Sequence, residues 1–310
     1  MLPRGSARTG AALAVAVGSR SAPARAATSP AARPPAATEA KPARGRALHV
    51  LCLHGFCQNA EVFRKKTGSL RRAMKGCEFW FAEAPHSAEG AFSDDNAEEL
   101  GAGGGGGSGA GGAGPRGWWH AGENAQRAAG QERVRPAQSA SCSGWQEGLE
   151  SAGRDAEALA AEAGQGSFDG VLAFSQGCAV ATALLRRAAA GGGGPLAGAR
   201  FAVLVGGFVP RDAACAAQLR AGGGRAEPLA VHSLHVSGAA DELVPRARSA
   251  ALAELYCPAS ASWFELGATG DGRRWRRRAP RTARGPPIPT GTGAFKAALR
   301  GLLERAAGAG

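Results

Sequence analysis

The sequence has little aromatic content, 6% of residues with a single tyrosine. It also lacks any uninterrupted apolar run of about 18 residues, the length a membrane-crossing helix needs. No spanning helix is expected. Its 7 cysteines (Cys52, Cys57, Cys77, Cys142, Cys178, Cys215 and Cys257) are odd in number, scattered, and without a C-x-x-C pair. That spacing is neither a disulfide framework nor a zinc site, so no metal is expected. Several lie in apolar runs, where cysteine behaves as a small hydrophobe, and a reducing compartment fits best. Acidic residues are nearly missing from residues 1–46, where Glu39 stands alone. No histidine occurs beyond His235.

What is abundant is glycine, 48 of 310 residues, and the formal charge is +12. Glycine at about twice average usage marks low-complexity stretches, so the folded domain is shorter than the chain. The basic residues cluster in the N-terminal arm (Arg4, Arg8, Arg20, Arg25, Arg33, Lys41, Arg44, Arg46) and in a burst from Arg273 to Arg284. Set among Gly and Pro, that burst reads as a solvated loop rather than a nucleic-acid surface, and no nucleic-acid partner is expected. Residues 1–46, rich in Ala, Arg, Ser and Pro, have the composition of an organelle transit peptide or of a disordered arm. The expected location is cytoplasmic, or organellar if the arm is a transit peptide. A domain spans 47–310, interrupted near 98–116 by a glycine-rich insertion that cannot bury surface to offset its ordering entropy.

From residue 47 short apolar runs alternate with longer amphipathic segments, the pattern of a parallel sheet with crossover helices. Strands are expected at 48–53, 78–82, 170–174, 201–205, 233–236 and 262–266. Helices are expected near 60–74, 146–163, 176–189, 246–255 and 294–307. Continuous apolar strands such as Val171-Leu172-Ala173-Phe174 suit a sheet covered on both faces.

Three stretches carry chemistry. Phe168–Phe174, Ser175 and the apolar segment from Gln176 read as strand, sharp turn and helix, the arrangement of a nucleophile elbow. Ala173 replaces the first glycine of G-x-S-x-G, a mild departure because the position needs a small side chain more than a positive φ. An N-cap on an ordinary helix is the competing role of Ser175, and the strand before it favours the elbow. Leu51-Cys52-Leu53-His54-Gly55-Phe56 is a strand ending in His-Gly, the place from which one oxyanion donor comes. The backbone N–H groups of Phe56 and Gln176 are the expected pair, with His54 bracing the loop. Leu234–Pro245 carries Asp241 at a strand end, downstream of the serine, as Ser…Asp…His order requires. A helix cap is the competing role.

Together these stretches, with Phe63–Gly68, Glu83-Ala84-Pro85-His86, Gly117-Trp118-Trp119, Gly206-Gly207-Phe208 and Gly238–Pro245, resemble the FSH-type serine hydrolases across most of residues 48–245. The resemblance implies an α/β-hydrolase fold, a mostly parallel central sheet with helices on both faces. It implies hydrolysis of small or lipid-derived carboxylic esters by a Ser-Asp-His triad without cofactor, and it maps nucleophile and acid onto Ser175 and Asp241. It also places Trp118 and Trp119 near the active site as candidate substrate contacts, although paired tryptophans are as often packing anchors.

The family's histidine lies between the last strand and the last helix, and here all 6 histidines precede Asp241. In its place stands the Arg/Pro-rich stretch 267–287, an abrupt foreign segment between matching flanks that looks like a retained intron or a double frameshift. Two functions follow from the sequence: a serine esterase, or a catalytically inactive ligand-binding protein of the same fold.

Overall fold

The computed structural model describes residues 46–89, 114–126, 131, 133–220, 227–267 and 293–308. The arm 1–45, most of the glycine-rich insertion (90–113) and residues 268–292, which hold nearly all of the Arg/Pro-rich stretch, lie outside them.

The first apolar run forms strand β1 (Leu48–Leu53), followed by helices α1 (Ala60–Lys66) and α2 (Gly68–Ala73) and strand β2 (Cys77–Ala82). The single helix expected over 60–74 is broken at Thr67. Its hydroxyl donates to the Phe63 carbonyl at 2.7 Å, competing with the helical ladder. Four two-residue strands come next: β3 (His86–Ser87) pairs with β4 (Arg116–Gly117), and β5 (His120–Ala121) with β6 (Cys142–Ser143). Such short ribbons have no periodicity to read. Then follow α3 (Trp145–Glu162), β7 (Gly170–Phe174), α4 (Gln176–Arg187), β8 (Phe201–Val205), α5 (Ala213–Arg220), β9 (His232–Gly238), α6 (Arg246–Ala253), β10 (Ala261–Leu266) and α7 (Gly293–Gly308). Helix α5 was not expected, because its Ala-rich sequence has no clear polar face to mark a period.

Six strands form one sheet in the order β10-β9-β8-β7-β1-β2, with every neighbouring pair parallel. Alternate side chains enter two separate cores. Leu51, Leu53, Val171, Ala173 and Leu204 pack with Leu149, Ala152, Ala156 and Ala160 of α3 and the apolar side of α4. Val50, Cys52, Leu172, Phe174, Val203 and Val236 pack with Phe63, Leu70 and Met74 on one flank and with Phe295, Leu299 and Leu302 of α7 on the other. This two-sided cover is why β7 and β8 are apolar at every position.

The chain leaves β1 toward β2 and later returns to β7 on β1's other side. The order therefore reverses between β1 and β7, and the carboxyl ends of strands at such a switch point are the usual ligand site of open parallel sheets. No helix among the described residues is long and apolar enough to cross a membrane.

Candidate active site

At that switch point Ser175 follows β7 with φ +50° and ψ −115°. Cys57 is the other non-glycine residue with positive φ among those described, and it lies in the loop after β1. Such a conformation costs about 1–3 kcal/mol and persists only where the surroundings over-determine it. Here they do. The Ser175 N–H donates to the Val205 carbonyl at 2.8 Å, extending the ladder into β8, and the Ser175 carbonyl accepts from Cys178 N–H at 3.0 Å. Helix α4 also presses against the end of β1. A Cβ on Gly177 would stand 2.4 Å from the Leu53 carbonyl oxygen and 2.7 Å from that of His54, so glycine is required by close approach. Between Phe168 and Arg186 every residue is buried except Ser175. Ala173, two positions earlier, is fully buried in the strand, and its φ is not positive.

Gln176 is buried, and its side chain is a bracket. Its Oε1 accepts from the Trp118 N–H and its Nε2 donates to the Trp119 carbonyl, both at 2.7 Å. The Trp118 indole N–H donates to the His54 carbonyl at 2.8 Å. The Ser175 turn, the tryptophan loop and the β1 loop are thereby fastened together. Trp118 and Trp119 are both completely buried, Trp119 against Trp145 and Phe208. This bracing by the side chain of Gln176 was not anticipated from sequence; a glutamine directly after the elbow serine was the available signal.

The β1 loop meets the elbow directly. A Cβ on Gly55 would lie 3.3 Å from Ser175 Cβ and 2.6 Å from the Phe174 ring. From His49 to Asn59 only Phe56 is partly exposed, and its ring stands edge-on to His120, centroids 5.9 Å apart. His54 is fully buried. Its Nδ1–H donates to the Gly55 carbonyl at 2.8 Å, and its Nε2 lies between the Ala84 N–H (3.1 Å) and Glu83 Oε1 (3.0 Å).

Asp241 follows β9, two strand spacings from β7, about 10 Å across the sheet, and at the same edge. It is buried. Oδ1 accepts from the Leu243 and Val244 N–H groups at 3.0 and 2.9 Å, and Oδ2 has no hydrogen-bond partner among the described residues. Burial pushes its pKa up to about 6 against the lowering effect of the two N–H donors. The two N–H contacts hold the turn ahead of α6 and occupy one oxygen only; the N-cap of α6 is Pro245, so Asp241 does not play the competing role of helix cap.

All six histidines are among the described residues, and none bonds to Asp241. His235 is the nearest in sequence, yet it shares a hydrogen bond with Ser233 and lies between Tyr256 and Trp263. Burial pulls its pKa down to about 4. His86 bonds the Gly144 carbonyl at 2.9 Å and packs against His120, centroids 5.5 Å apart. The pKa of His120 is lowered by burial first and by His86 and Arg133 next.

The all-parallel sheet in this strand order, covered by helices on both faces, is that of the α/β-hydrolase class. Within that class the match is narrower: the family described as Serine hydrolase (FSH1) spans residues 44–267, and the chain belongs to it. It is 36% identical over 222 residues to Esterase OVCA2 of Homo sapiens, covering 69% of this chain and 85% of the relative. The same esterase of Mus musculus is 34% identical over 222 residues, covering 69% and 85%. That of Danio rerio is 32% identical over 208 residues, covering 65% and 81%.

Proposed function

We propose that the protein cleaves carboxylic esters of small or lipid-derived acyl groups, with Ser175 as nucleophile and Asp241 as the acid that orients its base. The observation that carries this reading is Ser175 itself: the one partly exposed residue of a buried strand–turn–helix, held at φ +50°. Its Oγ attacks the ester carbonyl, the acyl group passes to Oγ and the alcohol leaves; water then releases the acid. The N–H of Gln176, at the first turn of α4, would hold the oxyanion, since helix N-terminal amides have no intrahelical partner, and Phe56 in the β1 loop is the second proposed donor. Trp118 and Trp119 contribute by bracing Gln176 and the β1 loop.

The serine proton needs an acceptor. The buried Oδ2 of Asp241, without a partner among the described residues, is the atom that an imidazole N–H would meet, which supports an orienting role. No histidine follows Asp241 in the sequence, and removing one triad member leaves only about 10³ to 10⁴-fold catalysis over water. We therefore read 267–287 as foreign to the mature message, a retained intron or double frameshift. Sequencing the transcript across codons 260–295 tests this, and an Arg-rich stretch in mature mRNA defeats it. With the spliced sequence, a fluorophosphonate probe should label the protein and p-nitrophenyl esters should turn over, both lost on Ser175→Ala; a wild-type chain that is not labelled sinks the esterase.

The second reading, a ligand-binding protein without turnover, draws on the same absence of an imidazole at Asp241. It predicts that the chain binds acyl ligands at the carboxyl ends of β1 and β7 while hydrolysing none. Ester cleavage by the chain as printed, dependent on Ser175, excludes it.

A further inference from the structure

Away from the serine, three side chains that the proposed chemistry does not use converge on one seam. Cys142 lies on the β5–β6 ribbon, Asp212 precedes α5 and Cys215 sits in its first turn. Their ligand atoms, two sulfurs and a carboxylate oxygen, all lie within 4.8 Å of one another. Cys215 is buried and the other two are half-buried, and both cysteines are free.

We propose that these residues bind one thiophilic divalent cation of the zinc class. Tetrahedral zinc, with Zn–S about 2.3 Å and Zn–O about 2.0–2.2 Å, sets ligand–ligand edges near 3.5–3.8 Å. The cluster reaches that by a contraction of roughly 1 Å, within the compass of rotamer changes. Two sulfurs and one carboxylate fill three corners and leave the fourth for water. A disulfide would use the two sulfurs and give the carboxylate no role.

The backbone already holds this carboxylate. Asp212 Oδ1 accepts from the Ala214 and Cys215 N–H groups at 2.9 and 3.0 Å, and Oδ2 accepts from the Cys142 N–H at 3.0 Å. Each carboxylate oxygen offers two lone pairs, so Oδ2 keeps one for an ion on the side of the sulfurs. Such support is what orients metal-ligating carboxylates. The spacing Asp212-x-x-Cys215 puts two ligands on one helical turn, and the third comes from a ribbon 70 residues earlier in the chain. C-x-x-C spacing could not reveal it.

Binding takes up the dication and releases a proton from each thiol that was protonated, so affinity rises with pH. The ion would cross-link the β5–β6 ribbon to α5, along a seam where the Trp145 indole also donates to Gln218 Oε1 at 3.1 Å. It would be a structural clamp, and its test does not depend on ester hydrolysis.

The test is titration of the reduced full-length chain with cobalt(II), then displacement with zinc. The expected result is thiolate-to-cobalt charge-transfer absorption that saturates at one ion per chain, disappears on adding zinc, and is lost in Cys142→Ser/Cys215→Ser. Asp212→Asn keeps the helix cap while removing the charge, so it should keep the absorption and weaken the binding. It also serves as the readout if the double variant does not fold. Absence of the absorption in the folded, reduced chain overturns the proposal. So does absorption that persists in the folded double variant, which would place the ion on other cysteines, or recovery of a Cys142–Cys215 disulfide from protein kept under reductant.

Discussion

The loops after β7 and β9 stand at the same edge of one sheet and are built on opposite principles. After β7 the strand-side backbone of the turn and the Gln176 side chain are tied down. The Ser175 backbone bonds to Val205 and Cys178, and both ends of the Gln176 side chain are bonded to the tryptophan loop. After β9 the Asp241 carboxylate is half satisfied, one oxygen bonded twice and the other not at all among the described residues. A serine held at an unfavourable φ needs a rigid frame around it. A buried carboxylate with a spare oxygen instead suits a partner that can carry positive charge.

The largest effect expected is on the frame. Gly177→Val should cost about 4 kcal/mol or more, since its Cβ would meet two backbone carbonyls that cannot swing aside. Urea denaturation measures it, and a near-neutral result would break the picture of a tightly wedged elbow. Gln176→Met, similar in volume, leaves the Trp118 N–H and the Trp119 carbonyl unpaired in the interior. At about 1–3 kcal/mol for each buried orphan, the chain should lose roughly 3 kcal/mol.

The β9 loop should respond with the opposite sign. Asp241→Asn removes the cost of a buried charge and should stabilise the chain at neutral pH by about 2 kcal/mol. The folded pKa of Asp241, about 6, lies above the ordinary 3.8, so the native state takes up the proton first as pH falls. Asp241 therefore makes the wild type more stable as pH drops from about 6 to 4, and less stable as pH rises through 6. In the variant that slope should vanish; a slope unchanged in thermal melts across this window would mean that another group titrates there.

The smallest effect is the most pointed. Ser175→Gly relieves a positive φ and should raise stability by about 1 kcal/mol, while removing the proposed nucleophile. A Ser175→Gly chain less stable than wild type would show that the turn carries no strain.

Much of this was legible in sequence because the central strands are apolar on both faces. All six strands of the sheet fall within two residues of the expected bounds, and the runs 48–53, 170–174 and 201–205 coincide with β1, β7 and β8. The serine between Phe174 and Gln176 stood out because an apolar run changes there from strand to helix length. What had no local signal was missed: the break at Thr67, the two-residue ribbons, the Ala-rich α5, and the use of Gln176 as a bracket. Periodicity reports which face of a segment is buried, and it is silent on which polar group finds which partner.

Pattern along the chain was thus enough to determine an α/β sheet with helices on both faces, and the turn on which Ser175 sits, because burial on two faces leaves a mark in the central strands. Only the tertiary structure decided that Ser175 takes a positive φ, that Trp118 and Trp119 are wholly interior, and that one oxygen of Asp241 is bare among the described residues. It alone brought Cys142 to Asp212 and Cys215. Those contacts join residues tens of positions apart, and their energies depend on distance and direction in space, which no local run of side chains encodes.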